Sequence, residues 1–265
     1  MQPRAVGQVS LSVKPGVRGT VLDGLRQSGS LRCLFPRPKS QALEAVLVNT
    51  AGGITGGDTF NISASVASGC ELVMTTQASE RAYRAQPTES GRMQTDLQVS
   101  DDAQLNWMPQ ETILFNGSSL DRSLNVDLAP DAKALILEPL AFGRLAMKEQ
   151  LTDIRLHDRI TIRRDGQPLF MDATRFAGDM AAHLDRPHIA GGARAMAIMI
   201  YTAPDAEGQL PQLRAMLPPQ AGASVIGDDL LVLRILAQDS HELRLSLIPI
   251  LNHLTHNQLP RCWMI

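Results

Sequence analysis

Four glycines within six residues, between two strand-like segments, constrain this chain more than any other sequence feature does. The apolar run Val46–Val48 enters the turn, and apolar and polar side chains then alternate over residues 60–66, as they do in a half-buried strand. The turn glycines are Gly52, Gly53, Gly56 and Gly57. Such glycines allow positive φ angles or a very close approach of another backbone. The segment therefore predicts a strand, a tightly folded connection and a second strand.

The glycine turn lacks the sequence of a nucleotide-binding loop. A phosphate-binding loop needs a lysine where this turn has Asp58, and a carboxylate repels phosphate. The dinucleotide fingerprint G-x-G-x-x-G is also absent, and strand-like residues follow the glycines where that fingerprint requires a helix. Taken alone, the turn leaves an ordinary hairpin loop open as the alternative.

Composition and charge are typical of a soluble globular protein. The chain has 265 residues, 44% of them hydrophobic, and a net charge of −2. We expect a single domain over residues 1–265, because the chain is long enough for a large core and shows no linker. There is no basic excess to favour nucleic acid or an anionic membrane as a partner. Because no apolar run has the length of a signal peptide or a membrane span, we expect a cytoplasmic protein.

Short stretches of period-two alternation recur from residue 8 to residue 171. The clearest is Arg92–Val99, in which the apolar residues and one threonine share a face. More than ten such stretches, with turn signals every 8–12 residues or so, predict a mainly antiparallel β architecture rather than βαβ units. No fixed-period repeat is visible, so the sequence alone does not support a regular solenoid.

Helical spacing is found only in the C-terminal third of the chain. Leucines spaced by three and four predict a short helix near residues 208–217. Asp239 and Glu242 have the spacing of a capping box, which predicts a second helix over residues 240–256. Pro249 falls inside that helix and is expected to kink or split it.

Several segments, in order along the chain, resemble the signature segments of the urease accessory protein UreD, also called UreH. Besides A-G-G-I-T-G-G-D at 51–58, they are T-T-Q-A-S-E-R-A-Y-R at 75–84, M-P-Q-E-T-I-L-F at 108–115, E-P-L-A-F-G-R-L-A-M at 138–147 and L-P-R-C-W at 259–263. Near the start, Ser30 replaces the proline that is usual before Leu31-Arg32. Because the matches run from about residue 30 to the C-terminus, the chain is identified as a member of this family.

The resemblance implies a chaperone that matures urease by helping to insert its nickel centre. In that family the protein works with UreF, which docks on it, with the GTPase UreG, which joins through UreF, and with the urease apoprotein. The fold that the resemblance implies is mainly β, an irregular β-helix-like array of many short strands with two α-helices near the C-terminus. The family protein hydrolyses no nucleotide, in agreement with the missing phosphate loop, so we expect no enzymatic activity.

Histidine and cysteine form no ligand cluster in the sequence. Cys33, Cys70 and Cys262 are scattered, and buried free thiols are expected. His253 and His256 could share a helix face, and a solvated helix end is the alternative. Because nickel binds tightly to imidazole and thiolate, we expect no tightly bound cofactor and only nickel in transit.

Oxygen ligands would suit such transit, because they hold nickel more weakly and release it faster. We hypothesise that a polar interior path for nickel is bordered by Asp58, Gln77, Glu111, Glu138 and Glu149. Tyr83 and Arg144 are expected to orient the residues of this path. The residues expected to have a structural role in the motifs are Gly52, Gly53, Gly56, Gly57, Tyr83, Arg84, Gly143 and Arg144. The alternative is that the polar residues only satisfy buried backbone groups around the turns.

The resemblance implies a large interface with UreF, and the C-terminal helix offers leucines for it: Leu243, Leu247, Leu251 and Leu254.

A β-rich glycoside hydrolase with a carboxylate pair is the alternative function. Against it, only 4% of the residues are aromatic, whereas sugar-binding clefts usually present aromatic rings.

Overall fold

Strands make up about half of the residues that the structure describes, which are residues 3–37 and 40–264 of a computed structural model. The strands are β1 (Val6–Gly16), β2 (Gly19–Gly29), β3 (Leu31–Leu34), β4 (Leu43–Asn49), β5 (Thr59–Val66), β6 (Glu71–Thr76), β7 (Glu80–Ala82), β8 (Gly91–Val99), β9 (Gln104–Trp107), β10 (Thr112–Leu114), β11 (Ser119–Leu128), β12 (Lys133–Phe142), β13 (Ile154–Arg164), β14 (Gln167–Gly178), β15 (Ala195–Thr202), β16 (Ala221–Ile226) and β17 (Leu230–Ala237). The helices are α1 (Met180–Leu184), α2 (Ala206–Met216) and α3 (Ser240–Leu254), and residues Leu145–Met147 and Arg261–Trp263 form short 3-10 turns.

The strands form two sheets, which face each other across the main core. The seven-stranded sheet has the order β14-β13-β11-β8-β5-β1-β2. The ten-stranded sheet has the order β16-β17-β15-β12-β9-β6-β4-β3, and the short strands β7 and β10 join it beside β12. The mainly β fold predicted from the sequence is confirmed, with a solenoid-like arrangement.

The solenoid arises because the chain passes repeatedly from one sheet to the other. Strands β4, β6, β9 and β12 pair in parallel in the ten-stranded sheet, and β5, β8, β11 and β13 pair in parallel in the seven-stranded sheet. The prediction of a mainly antiparallel architecture is therefore wrong. Period-two alternation identifies a half-buried strand but not its direction. Parallel neighbours usually need a helical crossover, whereas here the opposite sheet provides the return path.

The solenoid turns are unequal, which explains the absence of a visible repeat. Successive turns begin in the ten-stranded sheet at Leu43, Glu71, Gln104 and Lys133, so no fixed period links them. Antiparallel pairs occur at the ends of the array, in the hairpins β1–β2 and β13–β14 and in the segment β12–β15–β17–β16.

A second core lies on the outer face of the ten-stranded sheet, beneath α2 and α3. Strand β12 is buried at nine of its ten positions, because it has a core on each face. This is why its apolar residues do not alternate with polar ones and the run Ala134–Phe142 is interrupted by a single charged residue, Glu138. No helix in the described part of the chain is long and apolar enough to cross a membrane.

Helices α2 and α3 lie close to the two predicted helices, whereas the five-residue α1 was not predicted. At the start of α3 the Asp239 carboxylate caps the helix, since it accepts from the Glu242 backbone N–H at 2.8 Å. The Glu242 carboxylate accepts from the Gln238 backbone N–H and not from that of Asp239, so only the N-cap half of the predicted capping box is present. Ser240–Leu254 is one continuous helix, so of the kink or split expected there, the split does not occur at Pro249. The carbonyl it leaves unpaired belongs to Leu245, whose side chain is exposed, so water can donate to that carbonyl.

Helix α3 ends at Leu254, and His256 lies beyond it with a φ of 51°. His256 therefore does not share a helix face with His253, whose Nε2 lies 2.7 Å from Gln209 Oε1. Of the three free cysteines, Cys33 and Cys70 are buried and Cys262 is half-buried.

Candidate functional site

A cavity of about 340 Å³ lies between the two sheets, inside the solenoid. Apolar side chains from both sheets form its walls, namely Leu47, Ile62, Met93, Trp107 and Leu124. The lining also includes Gly52, Gln77, Ala78 and Arg81, which are exposed, so the cavity opens to solvent beside the glycine turn. Strands β4 and β6 pair in parallel, so the glycine turn that follows β4 and the residues that follow β6 lie side by side at this opening.

A buried group of three charged residues lies at the inner end of the cavity. Arg122 makes two hydrogen bonds to Asp158, from Nε to Oδ1 at 2.9 Å and from Nη2 to Oδ2 at 2.5 Å. Arg122 Nη1 lies 2.7 Å from Glu138 Oε2, and Glu138 Oε1 accepts from the Trp107 indole N–H at 2.7 Å. We call Arg122, Glu138 and Asp158 the charged triad. It combines one cation with two carboxylates, so an added cation would find an excess of negative charge.

Burial and neighbouring charges perturb the protonation of the triad. Burial raises the pKa of Glu138, and the negative charge of Asp158 raises it further, while Arg122 opposes both. Burial alone would lower the pKa of Arg122, but the charges of Asp158 and Glu138 raise it above its usual value. Arg122 therefore stays charged, and Glu138 is the carboxyl group of the triad whose proton is held more strongly than usual.

A second, much smaller space lies on the other side of the triad. It measures about 10 Å³, close to the minimum that holds one water molecule, and Glu138 and Asp158 both line it. Asp172 also lines it and forms an ion pair with Arg234 at 2.9 Å, on the part-exposed side of the array. Polar groups thus continue from the open cavity through the triad to Asp172, with Glu138 lining both spaces.

Two of the five residues predicted to border a polar path, Gln77 and Glu138, line the cavity. Asp58 is buried and accepts from the backbone N–H groups of Ala5 and Thr55, so it ties the glycine turn to the N-terminal segment. Glu111 is half-buried outside the cavity lining, and its carbonyl accepts from the Glu80 backbone N–H. The structure therefore does not gather all five residues around one space.

Glu149, the fifth predicted residue, lies outside the cavity lining and is held by Arg144. Arg144 Nε donates to Glu149 Oε2 at 2.9 Å and Nη2 donates to Oε1 at 3.1 Å. The backbone N–H groups of Asn116 and Arg144 donate to the same carboxylate. These hydrogen bonds lower the pKa of Glu149, with that from the Arg144 side chain the largest cause.

The motif residues of the glycine turn and the later segments meet at one corner of the solenoid. The Tyr83 hydroxyl donates to the Gly52 carbonyl at 3.2 Å, and the Tyr83 ring meets the Phe115 ring edge-on at 4.9 Å between centroids. The Arg144 guanidinium lies over the Phe115 ring, 4.2 Å from the ring centroid. A side chain at Gly53 would lie 2.3 Å from the Tyr83 ring, which explains the glycine there.

The other motif residues lie around the same corner. The Arg84 carbonyl accepts from the Thr55 hydroxyl, and Gly143 has a φ of 86° where the chain leaves β12. Gly56 and Gly57 pack closely against Glu89 and Arg4. These contacts place the glycine turn at the mouth of the cavity as a rigid structural element.

The four leucines predicted to form a partner interface face inward in this structure. Leu243, Leu247, Leu251 and Leu254 are buried in the second core, against the ten-stranded sheet. Helical spacing identified the face of α3 that packs on the protein itself. On the opposite face Leu245 is 60% exposed, and it is the leucine of α3 available to a partner.

Two members of the triad, Arg122 and Asp158, were not predicted from the sequence, although the sequence contains a signal for both. Arg122 lies in β11 between Leu120 and Leu124, at a position whose neighbours two residues away are buried. Asp158 has a corresponding position in β13, where Leu156 and Ile160, two residues away on either side, are buried. A charged residue at an inward-facing strand position predicts a buried polar site, because such a charge needs a partner. Among the described residues, no group of three or more histidine, cysteine, aspartate or glutamate side chains is placed to hold a metal ion.

The fold and the cavity define the class of protein: a mainly β, solenoid-like chain with a charged interior and a helical layer on one sheet. The chain belongs to the UreD urease accessory protein family, whose sequence profile matches residues 5–264. A Ruegeria pomeroyi protein named urease accessory protein UreD is 58% identical over 246 residues, covering 93% of this chain and 96% of that protein. Proteins with the same name from Roseobacter denitrificans and Sinorhizobium medicae are 47% and 40% identical, covering 100% and 99% of this chain and 96% of each relative. The family resemblance stated from the motifs is confirmed.

Proposed function

We propose that this chain is a urease maturation chaperone, a scaffold subunit that binds urease apoprotein and helps to insert nickel into its active site. Family membership over nearly the whole chain is the observation that carries this proposal, since the relatives are named urease accessory proteins. UreF is the direct partner, and the GTPase UreG joins through UreF and makes nickel insertion dependent on GTP. The cytoplasm, where these partners meet, is the proposed location.

The proposed path of nickel runs through the cavity. Gln77 lines the cavity and is exposed where it opens, and Glu138 lines both the cavity and the small space beyond the triad. Their oxygen atoms suit a metal ion that must be released again. Because the pKa of Glu138 is raised, its carboxyl group holds a proton more strongly than usual and must release that proton when nickel binds. Nickel transfer should therefore weaken as pH falls.

The charged triad disfavours a hydrolase of the carboxylate-pair type. A glycosidase needs one carboxyl group free to give a proton and another free to act as base or nucleophile. Here Arg122 lies between Glu138 and Asp158 and binds both. The pair is therefore arranged to hold charge in place, which agrees with a non-catalytic role.

Coexpression tests the proposed function. The urease structural subunits and the remaining accessory proteins are produced with and without this chain, in cells supplied with nickel. We expect urease purified without the chain to contain little nickel and to have little activity, although its subunits assemble. Urease with equal nickel content in both preparations would contradict the proposal.

The partner proposal has a separate test, based on the exposed face of α3. Leu245→Glu places a charge at the exposed leucine and should abolish recovery of UreF with the tagged chain. Met171→Glu is the matched control, because Met171 is 69% exposed on β14, an edge strand of the seven-stranded sheet, whereas α3 packs on the ten-stranded sheet. If Leu245→Glu still recovers UreF as the control does, the interface lies elsewhere.

A further inference from the structure

A short segment, Met108–Gln110, separates the cavity from the helix layer. Pro109 and Gln110 line the cavity. The Met108 side chain points the other way and is buried in the second core beneath α3. On this side of the cavity the wall is therefore one chain segment thick, and the contacts that hold the segment decide whether the wall is closed.

The Gln110 side chain is held from the α3 side and leaves a free donor. Its Oε1 accepts from Arg244 Nη1 at 2.6 Å, whereas its Nε2 has no hydrogen-bond partner in the described part of the chain. Because a guanidinium can only donate, the amide oxygen must face Arg244. Gln110 is only 4% exposed, so its unpaired NH₂ group is buried at a considerable cost.

Arg244 also holds the C-terminal residues against the same segment. Its Nη2 donates to the Cys262 carbonyl at 2.9 Å, and its guanidinium lies 5.1 Å from the Trp263 ring centroid. The Trp263 indole N–H then donates to the Met108 carbonyl at 3.0 Å. One arginine of α3 thus contacts both the Gln110 side chain and the residues that cover the wall segment from outside. The backbone of the segment is held separately by β6, since the Met108 N–H donates to the Met74 carbonyl and the Gln110 N–H donates to the Thr76 hydroxyl.

We propose that the Arg244–Gln110 contact is a latch that closes the cavity toward α3, and that Arg244 is the positioning residue of this latch. The inference rests on the proposed function, because it gives the nickel path an opening toward α3 in addition to the polar route past the triad to Asp172. When Arg244 moves away, the Gln110 amide turns and the wall opens to a small hydrated cation. The latch lies one residue from Leu245, so a protein bound to the exposed face of α3 acts on the same helix turn.

Fluorescence of Trp107 in the presence of nickel ions tests the latch without urease. Trp107 lines the cavity, whereas Trp263, the second of the chain's two tryptophans, lies outside the cavity lining and is buried. Trp263 is left in place, because its indole N–H donates to the Met108 carbonyl of the wall segment. We expect Arg244→Gln to raise the collisional quenching constant of Ni²⁺ severalfold, and the increase should disappear when Trp107→Phe is added. Arg244→Lys, which retains a cationic donor, should return most of the way to the value of the unsubstituted protein. If the protein that retains Arg244 and the Arg244→Gln variant have equal quenching constants, the proposal is overturned.

A matched control and a second variant exclude a general loosening of the fold. Arg214→Gln removes an arginine of α2 that also donates to a carbonyl, that of Ala223, but does not line the cavity. It should leave quenching unchanged, and an increase as large as that of Arg244→Gln would contradict the latch. Gln110→Ala should raise quenching as Arg244→Gln does, and the double variant should add little, since both remove one contact. If Arg244→Gln fails to fold, Gln110→Ala carries the test.

Failure of the latch and failure of the proposed function are distinguishable. Unchanged quenching in the variants overturns the latch, while nickel-poor urease in the absence of the chain would still support the maturation role. Urease that loads nickel without the chain overturns the maturation role, whatever the quenching shows.

Discussion

Replacement of Arg122 by methionine is the perturbation that tests the charged triad most severely. Glu138 and Asp158 are 5% and 8% exposed, and the substitution removes the guanidinium that lies between them. Removing one partner of a buried ion pair typically costs about 3–5 kcal/mol, because an uncompensated charge stays buried. A typical domain has a free energy of unfolding of about 5–15 kcal/mol, so Arg122→Met should consume a large part of it.

Urea unfolding at neutral pH measures this cost, with Arg159→Met as the matched control. Arg159 pairs with Asp121 at 2.7 Å, but these side chains are 45% and 39% exposed, and such surface pairs contribute less than about 1 kcal/mol. Adding Glu138→Gln and Asp158→Asn to Arg122→Met should recover part of the loss, since neutral amides are cheaper to bury than charges. Equal costs for Arg122→Met and Arg159→Met would refute the reasoning.

Two further predictions concern the corner beside the cavity mouth. The hydrogen bond from the Arg144 side chain lowers the pKa of Glu149 below its usual 4.5. The ionised Glu149 therefore adds to the free energy of unfolding above pH 4.5, and this contribution is lost as pH falls through the pKa of the native state. In the Glu149→Gln variant the free energy of unfolding should consequently fall less steeply between neutral and acid pH. Unfolding measured from pH 7 to pH 3 checks this, and parallel curves for the two proteins would contradict it. Gly53→Ala should destabilise the fold more than Gly52→Ala, because an added Cβ meets the Tyr83 ring at 2.3 Å at the first position and nothing within 4 Å at the second. Gly52→Ala should still cost about 1 kcal/mol for its positive φ of 77°, and thermal unfolding showing equal losses would count against this assignment.

Local patterns in the sequence predicted many of the strands that bury one face, whereas β2, which has no buried residue, was not predicted. Residues 60–66 and Arg92–Val99 alternate as predicted and form β5 and β8. The capping-box spacing at Asp239 likewise predicted where α3 begins. These are local signals, in which a few neighbouring side chains decide the structure.

The parallel pairing of the solenoid was not predictable in the same way, because it depends on which strands become neighbours. Strand β5 pairs with β8 although β6 and β7, both in the other sheet, lie between them in the sequence, and no local pattern records this pairing. The position of the four α3 leucines was misread for a related reason. Helical spacing reveals an apolar face, but the sequence does not show whether that face covers the protein's own sheet or meets a partner.

The candidate site was predicted in part. Gln77 and Glu138 were identified by their place in family-like segments, and both line the cavity. Asp58 and Glu149 were identified on the same grounds, but they hydrogen-bond to backbone N–H groups around turns, as the structural alternative expected. Membership of a motif therefore did not distinguish a cavity residue from a residue that holds a turn.

Nickel content of urease matured with a Glu138→Gln variant is the most direct test of a nickel path through this subunit. Glu111→Gln is the matched control, since Glu111 is a family-motif glutamate outside the cavity lining. The complex with each variant is purified, its composition is checked, and nickel per urease active site is measured. We predict assembled complexes in both cases, with little nickel delivered by Glu138→Gln and normal delivery by Glu111→Gln. Full nickel loading with Glu138→Gln, in an assembled complex, would contradict the path.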